Sequence, residues 1–127
     1  MAGKIEKDFE FLKKNKKILA VLLFGSHALK EAHKRSDIDI CIVAPNENPK
    51  AMLKDVLRKI NAENYDMHIF ESLPLYIKMS VIENHKIIFS RDKYEMYEYF
   101  FFFRKLWEDQ EHRQRMTKKE LLEMIKP

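Results

Sequence analysis

The chain is poor in the residues that staple, bend or interrupt a backbone. Its one cysteine, Cys41, excludes an internal disulfide and makes a reducing cytoplasm the expected compartment. Two glycines and four prolines in 127 residues are too few for a linker-rich or low-complexity chain. No internal repeat is visible. Apolar runs are short as well: the longest, Ile18 to Phe24, is strand-sized, and no stretch approaches the ~20 apolar residues that a membrane span requires. The opening residues, Met1-Ala2-Gly3-Lys4, lead into charge, without the apolar core of a signal segment. The five histidines show no paired metal-ligand spacing, so zinc is not indicated. These absences predict a soluble protein with one compact domain and a short appended segment.

An apolar fraction of 46% fills a modest core, and charged residues make up 35%. The net charge is only +4, from 24 basic and 20 acidic residues, with a pI near 9.1. That balance suits an anionic ligand such as a nucleoside triphosphate, and equally a lysine-rich solvated surface. Ile5, Phe9, Phe11 and Leu12 at helical spacing predict a first helix over 3–16. The run Ile18 to Phe24 reads as a strand buried on both faces and ends at Gly25. A short helix is expected over 26–34, then a strand from Asp37 to Val43. Pro45 and Pro49 bracket a loop, and a helix over 50–61 carries Met52, Leu53, Val56, Leu57 and Ile60. Tyr65 to Phe70 reads as a third strand. Ser72 ahead of Leu73-Pro74 signals a helix through about Glu83, and Ile87 to Phe89 a short fourth strand. Ser90 is a plausible cap for a helix over 91–113, and Thr117 to Glu120 matches a capping box for a separate last helix. Strands alternating with helices make an α/β or α+β domain.

The chemistry concentrates at one turn and one strand start. Gly25-Ser26 ends an apolar strand, and Asp37-Ile38-Asp39 opens the next after ten intervening residues. Residues two apart in a strand share a face, so Asp37 and Asp39 project together while Ile38, Ile40 and Ile42 turn to the core. Their Cα atoms are expected about 7 Å apart, from a rise of ~3.3 Å per residue. Two carboxylates so placed can share one Mg²⁺ or bridge two, and magnesium favours few carboxylates plus a substrate phosphate. Gly25 lets a phosphate approach the backbone, the following helix start offers N–H donors, and the Ser26 hydroxyl adds another. Together these parts suit a triphosphate undergoing in-line displacement at phosphorus with two metal ions.

This pattern, in the contexts Leu23-Phe24-Gly25-Ser26-His27-Ala28 and Ser36-Asp37-Ile38-Asp39-Ile40, resembles the signature of the DNA polymerase β-like nucleotidyltransferase superfamily. Within it, the chain resembles the minimal nucleotidyltransferases often encoded beside a HEPN-domain partner. The likeness covers roughly residues 8 to 103. It implies an α+β fold with a small mixed sheet flanked by helices, two Mg²⁺ ions, and ATP as the donor substrate. It also implies a domain over 1–103, with its core at about 8–90, and a helical extension over 104–127. The family places a third acid on a later strand, and the match is Asp66 in Tyr65-Asp66-Met67-His68. The resemblance thus implies catalytic and metal-binding roles for Asp37, Asp39 and Asp66, with Gly25 and Ser26 at the nucleotide. Lys34 and Arg35 precede the aspartates, where they either neutralise triphosphate charge or are simply solvated. By strand parity His68 shares the face of Asp66, where a structural role is the plainer reading. Cys41 shares the aspartates' face as a small filler.

From Tyr94 to Trp107 aromatic residues crowd one predicted helix, including four consecutive phenylalanines from Phe100 to Phe103. One packed stripe does not need so many, so either the helix is sandwiched within the fold or, as the favoured reading, its outer face meets another chain, a second copy or the HEPN partner. No basic residue falls between Tyr94 and Phe103, and direct nucleic-acid binding is not expected. The leading expectation is AMP transfer from ATP to a hydroxyl, a tyrosine, of a HEPN ribonuclease toxin, for which the chain is the antitoxin. Transfer to a small molecule such as an aminoglycoside, and neutralisation by contact alone, are the alternatives.

Overall fold

The computed structural model describes residues 2–25, 38–60 and 62–125. Four strands form one mixed sheet: β1 (Ala20–Phe24), β2 (Ile38–Val43), β3 (Tyr65–Ile69) and β4 (Lys86–Ser90), in the order β3-β2-β1-β4. β1 runs antiparallel to both β2 and β4, and β2 runs parallel to β3. The small mixed sheet with flanking helices expected from the sequence is therefore present.

Both faces of the sheet are apolar. On one, Val21, Ile40, Ile42 and Ile69 meet Phe9, Leu12, Met52 and Val56. On the other, Leu22, Cys41, Val43 and Phe70 meet Met79, Val81, Met96 and Phe100. Ile40 through Val43 are all fully buried. The face opposite the isoleucines thus becomes a second core as soon as the strand has passed Asp39. Cys41 is the small filler expected there, and burial drives its thiol far above its ordinary range.

The helices differ from expectation in informative ways. The first is broken: α1 (Ala2–Asp8) gives way to a tight 3-10 turn over Glu10–Lys14. That turn brings Phe9 and Leu12, three residues apart, onto one side, where both are buried. α2 (Pro49–Lys59) starts with Pro49 in its first turn, and the Asn48 side chain accepts from the Ala51 N–H at 3.1 Å. Pro49 therefore opens the helix. Ser72 does not cap α3 (Leu75–Glu83); its hydroxyl donates back to the Ile69 carbonyl at 2.8 Å.

The last helix, α4 (Lys93–Ile125), corrects two expectations. Its cap is Asp92, whose carboxylate accepts from the Glu95 N–H at 3.1 Å. Ser90 cannot serve because it is still in β4, paired with Ala20. The capping-box pattern at Thr117 starts no separate helix, because α4 runs through it without a break. Met96 and Phe100 are buried, with Tyr99, Phe103 and Trp107 packed beside them, so one stripe lies on the core. Tyr94, Tyr97, Phe101 and Phe102 stand exposed on the other.

Candidate active site

At one end of the sheet three strands converge: β1 finishes at Phe24, while the parallel pair β2 and β3 begins. Asp39 is the second residue of β2, and its neighbours in register are Phe24 on one side and Asp66 on the other. Parallel pairing in that register sets two carboxylates side by side on the same face. Two register positions further in, on the same face, His68 lies beside Cys41. The His68 Nε2 is 3.1 Å from Asp66 Oδ2 and 3.7 Å from Asp39 Oδ1. The Phe24 ring meets the imidazole edge-on, with centroids 5.3 Å apart.

Gly25 follows immediately after β1 with φ +74°, in the left-handed region. A Cβ added there would lie 2.3 Å from Asp39 Oδ2, well inside contact distance. The glycine is required for two reasons at once: its backbone turn, and the carboxylate lying against it.

The electrostatics are those of a site short of positive charge. The Asp39 carboxyl is raised above its ordinary value, first by burial and then by the neighbouring charge of Asp66, with His68 opposing. The Asp39 side chain is 28% exposed and that of Asp66 54%. Asp66 therefore does not depend on a partner to offset burial. A divalent cation fits here on three counts. Asp39, Asp66 and His68 each offer a ligand atom, and these atoms lie within 4.8 Å of one another. The two carboxylates are hard oxygen donors of the kind magnesium takes. Burial and the neighbouring Asp66 carboxylate, which together raise the Asp39 carboxyl, are both effects that a bound cation would offset.

The structure thus gathers Gly25, Asp39 and Asp66 from the expected set. Asp37, Ser26 and Arg35, together with Lys34, lie outside the described residues. His68, for which a structural role was the plainer reading, lies beside both carboxylates, on the face where strand parity had put it.

The polymerase beta, nucleotidyltransferase family matches residues 6–94, a span that holds the whole sheet and the acidic cluster. The chain belongs to that family. It is 50% identical over 97 residues to a Methanocaldococcus jannaschii protein named "Putative protein adenylyltransferase", covering 76% of this chain and 75% of that one. Among solved structures, a chain from a toxin–antitoxin crystal structure with AMP-PNP superposes with a TM-score of 0.64 at 18% identity, covering 95% of this chain and 98% of that one. A chain from a complex of tri-AMPylated Shewanella oneidensis HEPN toxin with its MNT antitoxin gives 0.62 at 15% identity, covering 96% and 99%. At such identities the superpositions establish a shared fold. As a family member, the chain carries a nucleotidyltransferase domain on the fold that its glycine-serine turn and paired aspartates implied.

Proposed function

We propose that this protein is a magnesium-dependent protein adenylyltransferase that moves AMP from ATP to a tyrosine hydroxyl of a HEPN-type ribonuclease toxin, and so acts as its antitoxin. The observation that carries the reading is the register pairing of Asp39 with Asp66 against Gly25. Support for the donor and acceptor comes from the 50% identical relative, named for protein adenylyltransfer, and from the fold shared with chains of AMP-PNP-bound and AMPylated toxin–antitoxin complexes.

In the reaction the acceptor oxygen attacks the α-phosphorus of ATP, a new P–O bond forms, and the bond to the β-phosphate oxygen breaks to release pyrophosphate. Asp37, Asp39 and Asp66 would hold magnesium, which when bound neutralises phosphate charge and lowers the pKa of a coordinated hydroxyl. Asp66, the more exposed carboxylate of the described pair, takes the proton from the attacking hydroxyl. Gly25 leaves the backbone open to the triphosphate, Ser26 donates to it, and Arg35 offsets its charge. The exposed stripe of Tyr94, Tyr97, Phe101 and Phe102 offers the toxin a docking face. A reducing cytoplasm is the proposed compartment, consistent with the buried free thiol of Cys41.

The test is incubation of the protein with α-labelled ATP, Mg²⁺ and a HEPN ribonuclease encoded beside it. Label is expected on a toxin tyrosine, and is expected to vanish with Asp37→Asn or Asp39→Asn. A tight complex with unmodified toxin would replace this reading with neutralisation by contact. Label on an aminoglycoside in place of the toxin would replace it with small-molecule transfer.

A further inference from the structure

The sheet has two outer edges, and they are built differently. Among the described residues β4 pairs only with β1, and β3 only with β2. The β4 edge is guarded. Its register with β1 shifts between Val21 and Leu22, a bulge that leaves Ile88 unpaired. Lys86 stands exposed in the strand, and Arg91 and Lys93 follow it. Bulges and lysines are devices that keep an open edge from taking up a further strand. β3 has neither. Its pairing with β2 runs unbroken from Tyr65 to Ile69, and those five residues include no lysine, arginine or proline. Its one carboxylate, Asp66, belongs to the acidic cluster.

β3 is also held firmly from one face. The Tyr65 hydroxyl donates to the Asp8 carboxylate, and its ring meets Phe9 edge-on with centroids 5.0 Å apart. Tyr65, Met67 and Ile69 all pack with the core on that side. Asp66 projects from the other face, its side chain 54% exposed, with Asp39 in register on one flank and no described strand on the other. An unguarded edge therefore runs past the carboxylate to which the proposed reaction gives the acceptor's proton.

We infer that the outer edge of β3 is the acceptor-binding surface: the tyrosine-bearing segment of the toxin adds to it in extended form, as a fifth strand, with its tyrosine in register with Asp66. The inference rests on the function proposed above and adds to it the way the acceptor is held. Main-chain pairing supplies the affinity of such an addition, and side chains on one parity supply the specificity. The added strand lies ~4.8 Å from β3, and its residue in register with Asp66 shares the face of that carboxylate. Aromatic side chains reach both the opposite and the diagonal neighbour across a strand pair. A tyrosine in that register thus brings its hydroxyl to the carboxylates. Shifted by one residue, it points to the other face of the sheet.

The probes are synthetic peptides of about nine residues centred on the toxin tyrosine that takes the label, given to the full-length protein with ATP and Mg²⁺. Alternate amides of an extended strand point to opposite edges, so N-methyl groups on one alternate set block pairing on one edge only. Two peptides carry the two sets, and the unmodified peptide is the reference. One set is expected to raise KM at least tenfold with kcat changed less than threefold, and the other to leave both within threefold. Hydrogen exchange of the Tyr65–Ile69 amides is expected to slow at least fivefold with saturating peptide. Equal effects of the two sets overturn the inference, as does protection that falls on Lys86–Ser90 in place of β3. An unmodified peptide that takes no label while the whole toxin does also overturns it. In all three cases a labelled toxin leaves the proposed function standing and removes only the added strand. A whole toxin that takes no label sinks the function itself.

Discussion

At the scale of single residues, the cluster sets stability against function. Asp39 is raised by burial and by Asp66, so its ionised form is disfavoured in the folded protein. The sign follows from linkage. A carboxyl whose folded pKa exceeds the unfolded one stabilises fully below the ordinary value of 3.8 and loses that contribution as pH rises through the raised one. Without metal, Asp39→Asn is therefore expected to be at least as stable as wild type in urea at pH 7, while label transfer is lost. A wild-type protein more stable than the variant at pH 7 would contradict the direction of the shift. Gly25→Ala works differently. The left-handed backbone costs an L-residue about 1–2 kcal/mol, and the new Cβ would also push Asp39 aside. Loss of both stability and transfer is expected, read by urea denaturation and by label incorporation. Gly25 and Asp39 were legible in the sequence because turn chemistry and strand parity are local, whereas Asp66 came from the family resemblance. That Gly25 supports Asp39 directly was not legible, since the contact depends on how β1 and β2 pair across residues far apart in the chain.

At the scale of elements, one side chain ties three of them together. Glu71 lies in the 3-10 turn after β3. One of its oxygens accepts from the Ala44 N–H at 3.0 Å, just past β2, and the other from the Tyr99 hydroxyl of α4 at 2.8 Å. Lys78 of α3 donates to the Glu71 and Leu73 carbonyls and lies over the Phe70 and Phe103 rings. Burial, and then the hydrogen bond to Glu71, raise the Tyr99 hydroxyl well above its ordinary value of 10.0. Its contribution to stability is complete below that value and is lost as pH climbs through the raised one. Tyr99→Phe is expected to cost about 1 kcal/mol at neutral pH and to remove a late-titrating share of the tyrosinate absorbance near 295 nm. An unchanged alkaline titration would show that Tyr99 does not sit in this clamp. Such long-range ties explain which boundaries the sequence leaves open. Ser90 and Asp92 are both good caps, and only the pairing of Ser90 with Ala20 decides for Asp92. The break after Asp8 is likewise tertiary, since it serves the burial of Phe9 and Leu12. The continuity of α4 was open to a closer reading, because no glycine or proline separates Arg104 from Thr117.

At the scale of the molecule, α4 is out of proportion to the sheet it covers. Its 33 residues extend about 50 Å at 1.5 Å each, whereas five- or six-residue strands span roughly 17–20 Å. Contact with the core reaches Trp107. Beyond it, charged residues dominate from Glu108 to Arg115, and Leu121, Leu122, Met124 and Ile125 follow as an exposed apolar end. A projecting helix of this kind contributes little to the core, and its exposed pair Glu111–Arg115, 3.8 Å apart, adds only about 0.3–0.5 kcal/mol to the helix itself. On the function proposed above, the extension is a docking arm for the toxin. Ending the chain after Glu108 is expected to leave urea stability within about 1 kcal/mol of wild type, because no described core residue is removed. The truncated protein should bind the toxin at least tenfold more weakly by calorimetry. Sedimentation distinguishes the other partner considered for this helix. A wild-type dimer that becomes monomeric on truncation, with toxin affinity unchanged, would assign the arm to a second copy. A large fall in stability would instead place residues 109–125 within the folded unit.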